Sequence, residues 1–542
     1  MTRREFLVVA ALSVVAAACA GDDTGTSTTT TGPRPGSDDS LAETLPVPQI
    51  SGEPFTLGIA SGDPIPGAVV IWTRLAPDPL AGDGGMPAEP TPVRWEVASD
   101  EGFTEVVASG TALAEPRWGH SVHVDVTGLQ PATSYWYRFA VGDHRSPVGR
   151  SRTAPRADSS PEEVRLAVAT CQAYQSGFYA AYRDMTAHEL DAVLFNGDYI
   201  YELESSTAAR SHGLAPPTTT EEYRVLYAVN KTDADLQAAH AAFPWIVTWD
   251  DHEVEDNYGS LTPGGIGRSL DPEADARFPA RRAAAYQAYW EHMPLRTGPP
   301  DVDGNLRIYR DLRFGDLVTA AVLDDRQYRD PIPDDAGAGA LPRPLGGGPQ
   351  IPQAFDESRS LLGAEQEQWL EKVLRRSDTT WKLLVQQTLM AEIDRRPDRD
   401  DAGFSADTWD GYVAARDRLL GFVHDEEITN LVSLGGDIHT AAVADLKPDY
   451  KEPGSPVVGA ELIAPSISAL ELIGPEALEG SRSNPHIHEY EPFRRGWLLV
   501  SVTPERLTAE FRFVLDALVP ESGSESGGTW VVDAGDPQVH RA

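Results

Sequence analysis

The chain has 542 residues, 41 % of them hydrophobic, which is enough for a sizeable core and for two or more domains. Against 45 Lys and Arg stand 83 Asp and Glu, a formal charge of −38. Such a surface repels phosphate backbones and anionic membranes, so no specific nucleic-acid binding is expected, and an anionic substrate would need a local cationic site such as metal ions.

The N-terminus reads as an address. Thr2-Arg3-Arg4-Glu5-Phe6-Leu7 precedes an apolar run from Val8 to Ala18, too short to span a bilayer as a mature helix. The paired arginines resemble a twin-arginine export signal, and Ala16-Ala17-Ala18-Cys19 resembles a bacterial lipobox, in which the Cys is lipidated after cleavage. A plain signal peptide cut near Ala20 is the alternative. Residues 1–19 are thus expected to be a signal peptide and 20–50 a flexible Thr/Gly/Ser/Asp-rich tether. The expected location is extracytoplasmic, either released or lipid-anchored at Cys19 to the outer face of the cell membrane. Twin-arginine export carries folded proteins, which suits an enzyme loaded with metal beforehand. With Cys19 lipidated, Cys171 is a lone thiol and no structural disulfide can form.

Residues 51–155 read as all β. "AVVIWTRL", "VRWEVAS", "SVHVDVTGL" and "SYWYRFAVG" are short runs rich in β-branched and aromatic residues, separated by Gly, Pro and Asp. They predict a sandwich of the fibronectin or immunoglobulin type. His120 and His123 fall in one predicted strand, on opposite faces, as structural residues. "RTAPRADSSPEEV" (152–164) reads as a linker.

Residues 156–542 read as α/β. "VRLAVAT", "AVLFNGD", "WIVTWDD", "LVTAAVLDD", "WKLLVQQT", "LVSLGGDIH", "GAELIAPS" and "GWLLVSV" are near-continuous apolar strands, with helical patterns at 177–189, 364–376 and 410–424. Strands of this kind are covered on both faces. The Gly/Pro-rich insert 334–352 reads as a surface loop.

Most of these strands end in residues able to bind a hard cation. They are Thr170-Cys171-Gln172, Asn196-Gly197-Asp198-Tyr199-Ile200-Tyr201-Glu202, Asp250-Asp251-His252-Glu253 with Asp256-Asn257, Asp324-Asp325-Arg326, and Gly435-Gly436-Asp437-Ile438-His439. Ligands in α/β sheets gather at strand carboxyl ends, so the clusters together predict one polynuclear metal site. Each alone is ambiguous: a Gly-Asp pair is often a turn, "DDHE" reads equally as a solvated acidic loop, and Tyr201 could pack or react. In an extended chain Asp437 and His439 would face the same side.

Six stretches carry a resemblance: "GIASGDP" (58–64), "TCQAYQSGFYAAYRDM" (170–185), "NGDYIYE" (196–202), "WDDHEVEDNYG" (249–259), "LDDRQYRD" (323–330) and "LGGDIHTA" (434–441). From about Phe55 to the end, the chain resembles the PhoD-like alkaline phosphatases of the calcineurin-like metallophosphoesterase superfamily. The resemblance implies an N-terminal sandwich followed by a four-layer α/β/β/α catalytic domain. It implies a ferric ion (Fe3+) held by Cys171, Asp198, Tyr201 and His439, with one or more calcium ions (Ca2+) beside it. Asp198 would bridge the two metal types and Asp437 would be a calcium ligand. Asp251 stands where the wider superfamily has Asn, which makes it a further calcium candidate, and Asn257 is another from the same loop. His252 matches the residue that serves the leaving group. Arg326 is a candidate for holding a phosphate oxygen, the alternative being a salt bridge to Asp324 or Asp325. Glu202 and Glu253 are expected to be supporting or surface residues. The implied activity is hydrolysis of a small-molecule or lipid phosphoester by metal-activated water. A phosphodiesterase or phospholipase D-like hydrolase on the same site is the alternative, and a lipid-anchored binding protein with a structural metal site is a second.

Overall fold

The computed structural model describes residues 44–203, 209–264, 272–332, 347–397 and 402–542. The expected export signal, Cys19, most of the tether and most of the 334–352 insert lie outside the described residues. No helix among the described residues is long and apolar enough to cross a membrane.

Two large mixed sheets face one another. In spatial order the ten-stranded sheet runs Val539–Arg541, Ser524–Asp533, Arg506–Val514, Gly496–Val502, Val164–Ala169, Ala192–Asn196, Pro244–Thr248, Ile59–Ile65, Ala68–Arg74 and Ser121–Thr127. The seven-stranded sheet runs Arg310–Phe314, Val318–Val322, Trp381–Val385, Leu431–Gly435, Gly459–Ile463, Ala441–Leu446 and Ile487–Glu491. The period of two decides which way each side chain points. Leu166, Val168, Leu194 and Ile246 enter the layer between the sheets, against Val318, Val322, Leu383 and Val432. Their neighbours Ala167, Ala169, Val193, Phe195 and Val247 face outward, onto helices.

Those helices are Ala180–Thr186, Thr220–Lys231, Ala234–Ala242 and Pro272–His292, and Tyr182, Tyr223, Leu236 and Tyr286 are among the residues they bury on the sheet. On the opposite side, Ala364–Arg376 and Val413–Asp425 bury Leu370, Leu374 and Leu420 on the seven-stranded sheet. The result is the expected α/β/β/α layering.

The N-terminal β domain is built on the same frame. A smaller sheet of Val106–Ala114, Thr91–Ala98, Ser134–Val141, His144–Arg145 and Gly149–Arg152 packs on the last three strands of the ten-stranded sheet. Val93, Val97, Tyr137 and Phe139 meet Ile59, Val69, Ile71 and Val126 between them. The sandwich therefore shares one of its sheets with the α/β region: Ser61 and Gly62 pair in parallel with Pro244 and Trp245. His120 precedes its strand in a left-handed conformation (φ 59°), not in the strand as expected. His123 stacks on Trp290 with ring centroids 4.2 Å apart.

Where the two sheets end, polar side chains tie them together. Asn196 Nδ2 donates to the Leu434 carbonyl at 2.8 Å, and Thr248 Oγ1 donates to the Leu323 carbonyl at 2.9 Å. The loops leaving the parallel strands of both sheets therefore emerge side by side.

Candidate metal centre

Five of the residues singled out in the sequence have a left-handed backbone. These are Cys171 (φ 57°), Asp198 (59°), Asn257 (61°), Asp437 (62°) and His439 (53°). Asp, Asn and His tolerate this region; Cys does so rarely, and such positions cluster where function holds them. Two glycines let the loops close in. A Cβ on Gly197, itself at φ 95°, would lie 2.4 Å from Asp250 Cβ, and one on Gly436 would lie 2.5 Å from Thr170 Oγ1.

The left-handed turns correct one expectation. Asp437 and His439 do not share a face of an extended segment. Asp437 is grouped with Asp250 and Asp251, while His439 is grouped with Cys171 and Asp198.

In that second group a thiol, a carboxylate oxygen and an imidazole nitrogen lie within 4.8 Å of one another. Tyr201 completes it. Its hydroxyl donates to Asp198 Oδ2 at 2.8 Å and also lies 2.8 Å from His439 Nε2. His439 Nδ1 lies 2.9 Å from the Leu470 carbonyl, which can only accept, so Nδ1 carries the proton in the neutral ring. Nε2 then presents a lone pair toward Tyr201, and one phenolic proton faces two acceptors. Burial and the Asp198 carboxylate push the Tyr201 phenol well above its ordinary value, and burial with Asp198 does the same to the Cys171 thiol. Tyr199 turns the other way: it is buried in the core, its hydroxyl 2.8 Å from His240 Nε2.

The other two groups are rich in oxygen. They are Asp198, Asp251 and His252, and Asp250, Asp251 and Asp437, again with ligand atoms within 4.8 Å. Burial raises the Asp198 carboxyl to about 7, with Asp251 and Asp437 adding to the effect. For Asp251, burial is outweighed by Arg326 and His252, which hold it well below the carboxylate range. Asp250 Oδ2 is buried with no hydrogen-bond partner. Buried carboxylates this close to one another need their charge offset by protons or by cations, and the surrounding protein supplies cations only in part. Asn257 is tied to this cluster by its backbone, whose N–H donates to Asp251 Oδ2 at 2.7 Å.

Arg326 supplies the protein's share. It is 0 % exposed and pairs with Asp250, with Asp407 Oδ1 at 2.8 Å and with Asp437 Oδ1 at 3.3 Å. This overturns its expected role at a phosphate oxygen, because the guanidinium is committed to carboxylates. Nor is Asp324 the side-chain partner offered as the alternative: it accepts from the Arg326 backbone N–H at 3.1 Å.

His252 sits beside Tyr201, ring centroids 4.2 Å apart. Its Nδ1 donates to Glu202 Oε2 at 2.6 Å, while Glu202 Oε1 accepts from the Asp256 N–H at 2.8 Å. Burial opposes the charged imidazole, but Glu202, Asp251 and Asp198 together push its pKa well above the ordinary value. Glu253 is buried too. Its carboxylate accepts from the backbone N–H groups of Asp198 (3.0 Å), Tyr199 (2.7 Å) and Asp250 (2.9 Å), fixing both loops. Neither Glu is a surface residue. Asp250 stands in one of the strand-end clusters without an expected role, and Asp407 in none of them. Asp250 was visible as half of a strand-end Asp pair, whereas nothing near Asp407 in the chain points to Arg326.

Comparison with known proteins bears on the family and the fold of the chain. Residues 166–511 match the PhoD-like phosphatase family, and residues 40–155 match the PhoD-like phosphatase N-terminal domain. Alkaline phosphatase D of Bacillus subtilis (strain 168) is 41 % identical over 474 residues, 86 % of this chain and 78 % of that protein. A solved structure of PhoD superimposes with a TM-score of 0.84 at 39 % identity, covering 92 % of this chain and 93 % of that one.

Proposed function

The chain belongs to the PhoD-like phosphatase family, and from that premise we propose that it is an exported, metal-dependent alkaline phosphatase whose active centre lies at the joined strand ends. The observation that carries this reading is that Asp198 belongs to two ligand groups of different chemistry. Cys171, Asp198, Tyr201 and His439 offer a thiolate, a carboxylate, a phenolate and an imidazole, a set suited to ferric iron. Asp198, Asp251 and Asp437, with Asn257 beside them, offer oxygen ligands suited to calcium. Ions bound there would supply Lewis-acid activation of water and would neutralise the phosphoryl oxygens.

The chain's own residues do the rest. Glu253 fixes the backbone that carries Asp198 and Asp250. Arg326 offsets part of the acidic charge and orients Asp437, whose second oxygen accepts from Thr388 Oγ1 at 3.2 Å. Leu470 holds the His439 ring so that Nε2 faces the iron-side group. In His252, Nδ1 is committed to Glu202, so Nε2 is the nitrogen able to give a proton to the departing alkoxide. Export is proposed from the paired arginines, the apolar run and Cys19 alone.

Metal analysis of the purified protein, paired with a panel of phosphate monoesters and diesters, tests the reading. Iron and calcium together with monoester turnover are expected. Full metal occupancy with no turnover on any phosphoester would instead support a binding protein with a structural metal site.

A further inference from the structure

Cys171 and Tyr201 reach the iron-side group from two different loops, and one side chain ties those loops together. The strands Val164–Ala169 and Ala192–Asn196 end just before them. Past the strand ends the two backbones stay bonded for two more rungs. The Cys171 N–H donates to the Gly197 carbonyl at 3.1 Å, and the Gln172 N–H donates to the Asp198 carbonyl at 2.9 Å. The third rung comes from a side chain: Gln172 Nε2 donates to the Tyr199 carbonyl at 2.9 Å. Gln172 is fully buried and is itself held in place. Its Oε1 accepts from the hydroxyl of Tyr182, which lies on the helix Ala180–Thr186, and its backbone carbonyl is 2.8 Å from the Tyr179 hydroxyl. A carbonyl can only accept, so the Tyr199 contact also fixes which end of the amide is the nitrogen.

The third rung matters because the regular ladder is over. Cys171 and Asp198 both have a left-handed backbone, so strand geometry no longer sets the direction of the chain beyond them. Tyr201 lies two residues past the Tyr199 carbonyl and packs with Cys171, Ala173 and Ala469. A buried carbonyl that lost its donor would turn to find another, and the peptide it belongs to leads directly to Tyr201. We propose that Gln172 is a positioning residue for the iron side, which sets the spacing of Cys171 and Tyr201 before an ion binds and is steadied in this by Tyr182. The inference rests on the iron assignment made above.

Three variants test it: Gln172→Leu, Tyr182→Phe and the two combined. Tyr182→Phe removes only the hydroxyl that steadies the amide and leaves the ring in the core. Two quantities are measured. One is the affinity of the metal-stripped protein for ferric iron, by competition with a chelator. The other is the wavelength of the phenolate-to-iron absorption band in the loaded protein. Gln172→Leu should weaken iron binding by about 10- to 100-fold, the usual effect of losing a group that orients a ligand, and should shift the band. Tyr182→Phe should move both in the same direction by less. The double variant should bind iron no more weakly than Gln172→Leu alone, because one residue acts through the other. Variants that melt at lower temperature but keep native iron affinity and a native band would overturn the proposal, and so would effects of the two substitutions that simply add. If Gln172→Leu does not fold, native affinity and an unshifted band in Tyr182→Phe would overturn it alone. An unaltered protein that binds no iron and shows no band would remove the iron assignment, and the proposal with it.

Discussion

Glu202 Oε2 and His252 Nδ1 are 2.6 Å apart, and the carboxylate is buried. A buried acid that accepts from one ring nitrogen fixes the tautomer and the orientation of the other. His252 is thereby set apart from His439, whose Nδ1 is held by a neutral carbonyl. One ring is built to carry a proton and the other to present a lone pair.

His252→Ala should cut turnover of esters with basic alcohol leaving groups by about 10²- to 10⁴-fold, the range for a lost general acid. Esters of acidic phenols need less protonation and should lose less. Glu202→Gln should move the same two rates in the same direction but by smaller factors, because the ring stays in place without its anionic partner. Native kinetics on both ester classes in His252→Ala would exclude the residue from the chemistry.

Tyr201 supports a spectroscopic prediction. A phenolate bound to ferric iron absorbs visible light, so the purified protein should be coloured and Tyr201→Phe should be bleached. Absorbance and iron content are measured together. A colourless, iron-free protein with full activity would rule out the iron assignment.

Calcium is tested by removal and return. A calcium-selective chelator should abolish activity while the iron colour persists, and added calcium should restore it. Asp437→Asn should raise the calcium concentration needed for that rescue, because affinity follows ligand charge. Rescue by zinc alone would argue for a different second metal.

Gly436→Ala places a methyl group 2.5 Å from Thr170 Oγ1. The collision lies where the two sheets' loops meet, beside Cys171 on one strand end and Asp437 on the other. A destabilisation of about 1–3 kcal/mol is expected from overpacking of this kind, together with lowered iron content. Thermal melts and metal analysis report both, and an unchanged melting temperature would show that the loops can move apart.

The metal-stripped protein should depend on pH with a definite sign. Burial raises the Asp198 carboxyl to about 7 and the Glu253 carboxyl to about 8. In the unfolded chain both titrate near 4, at roughly 3.9 and 4.3. Between those values the folded state holds protons that the unfolded state has released, so stability falls as pH rises. It is fully present below about 4 and is lost as pH climbs through 7 and 8. The melting temperature of the stripped protein should therefore drop from pH 5 to pH 8.5, and reloading with metal should flatten the profile. A stripped protein that grows more stable over that interval would contradict the assignment.

The strands of both sheets were legible because each is buried on two faces, which leaves an unbroken apolar run such as Ala192 to Asn196. The helix Thr220–Lys231 was missed because Tyr223, Val225, Tyr227 and Val229 mimic strand composition, although Thr219 and Glu222 form a capping box that the sequence displays. The helix Ala234–Ala242 was missed for the opposite reason: its alanines leave no sharp apolar stripe. The site residues could be picked because they follow strand ends. Their disposition could not, because five of them take a left-handed backbone and periodicity arguments stop at the last extended residue. Tyr199 and Tyr201 illustrate this: the strand ends at Asn196, so a spacing of two no longer means a shared face. The fate of Arg326 was hidden for another reason, since Asp407 and Asp437 reach it only through the tertiary fold.

The parallel pairing of Ser61 and Gly62 with Pro244 and Trp245 sets the order in which the polypeptide can mature on the ribosome. The strand Ile59–Ile65 is made early, but the partner that closes its open edge is not synthesised until Pro244–Thr248 emerges. During that interval the nascent chain displays an unsatisfied strand edge, the kind of surface that invites wrong partners. Contacts this distant in sequence are slow to form. A chain with this topology gains from completing its fold in the compartment where it is made, under the protection of chaperones, before it is moved anywhere else.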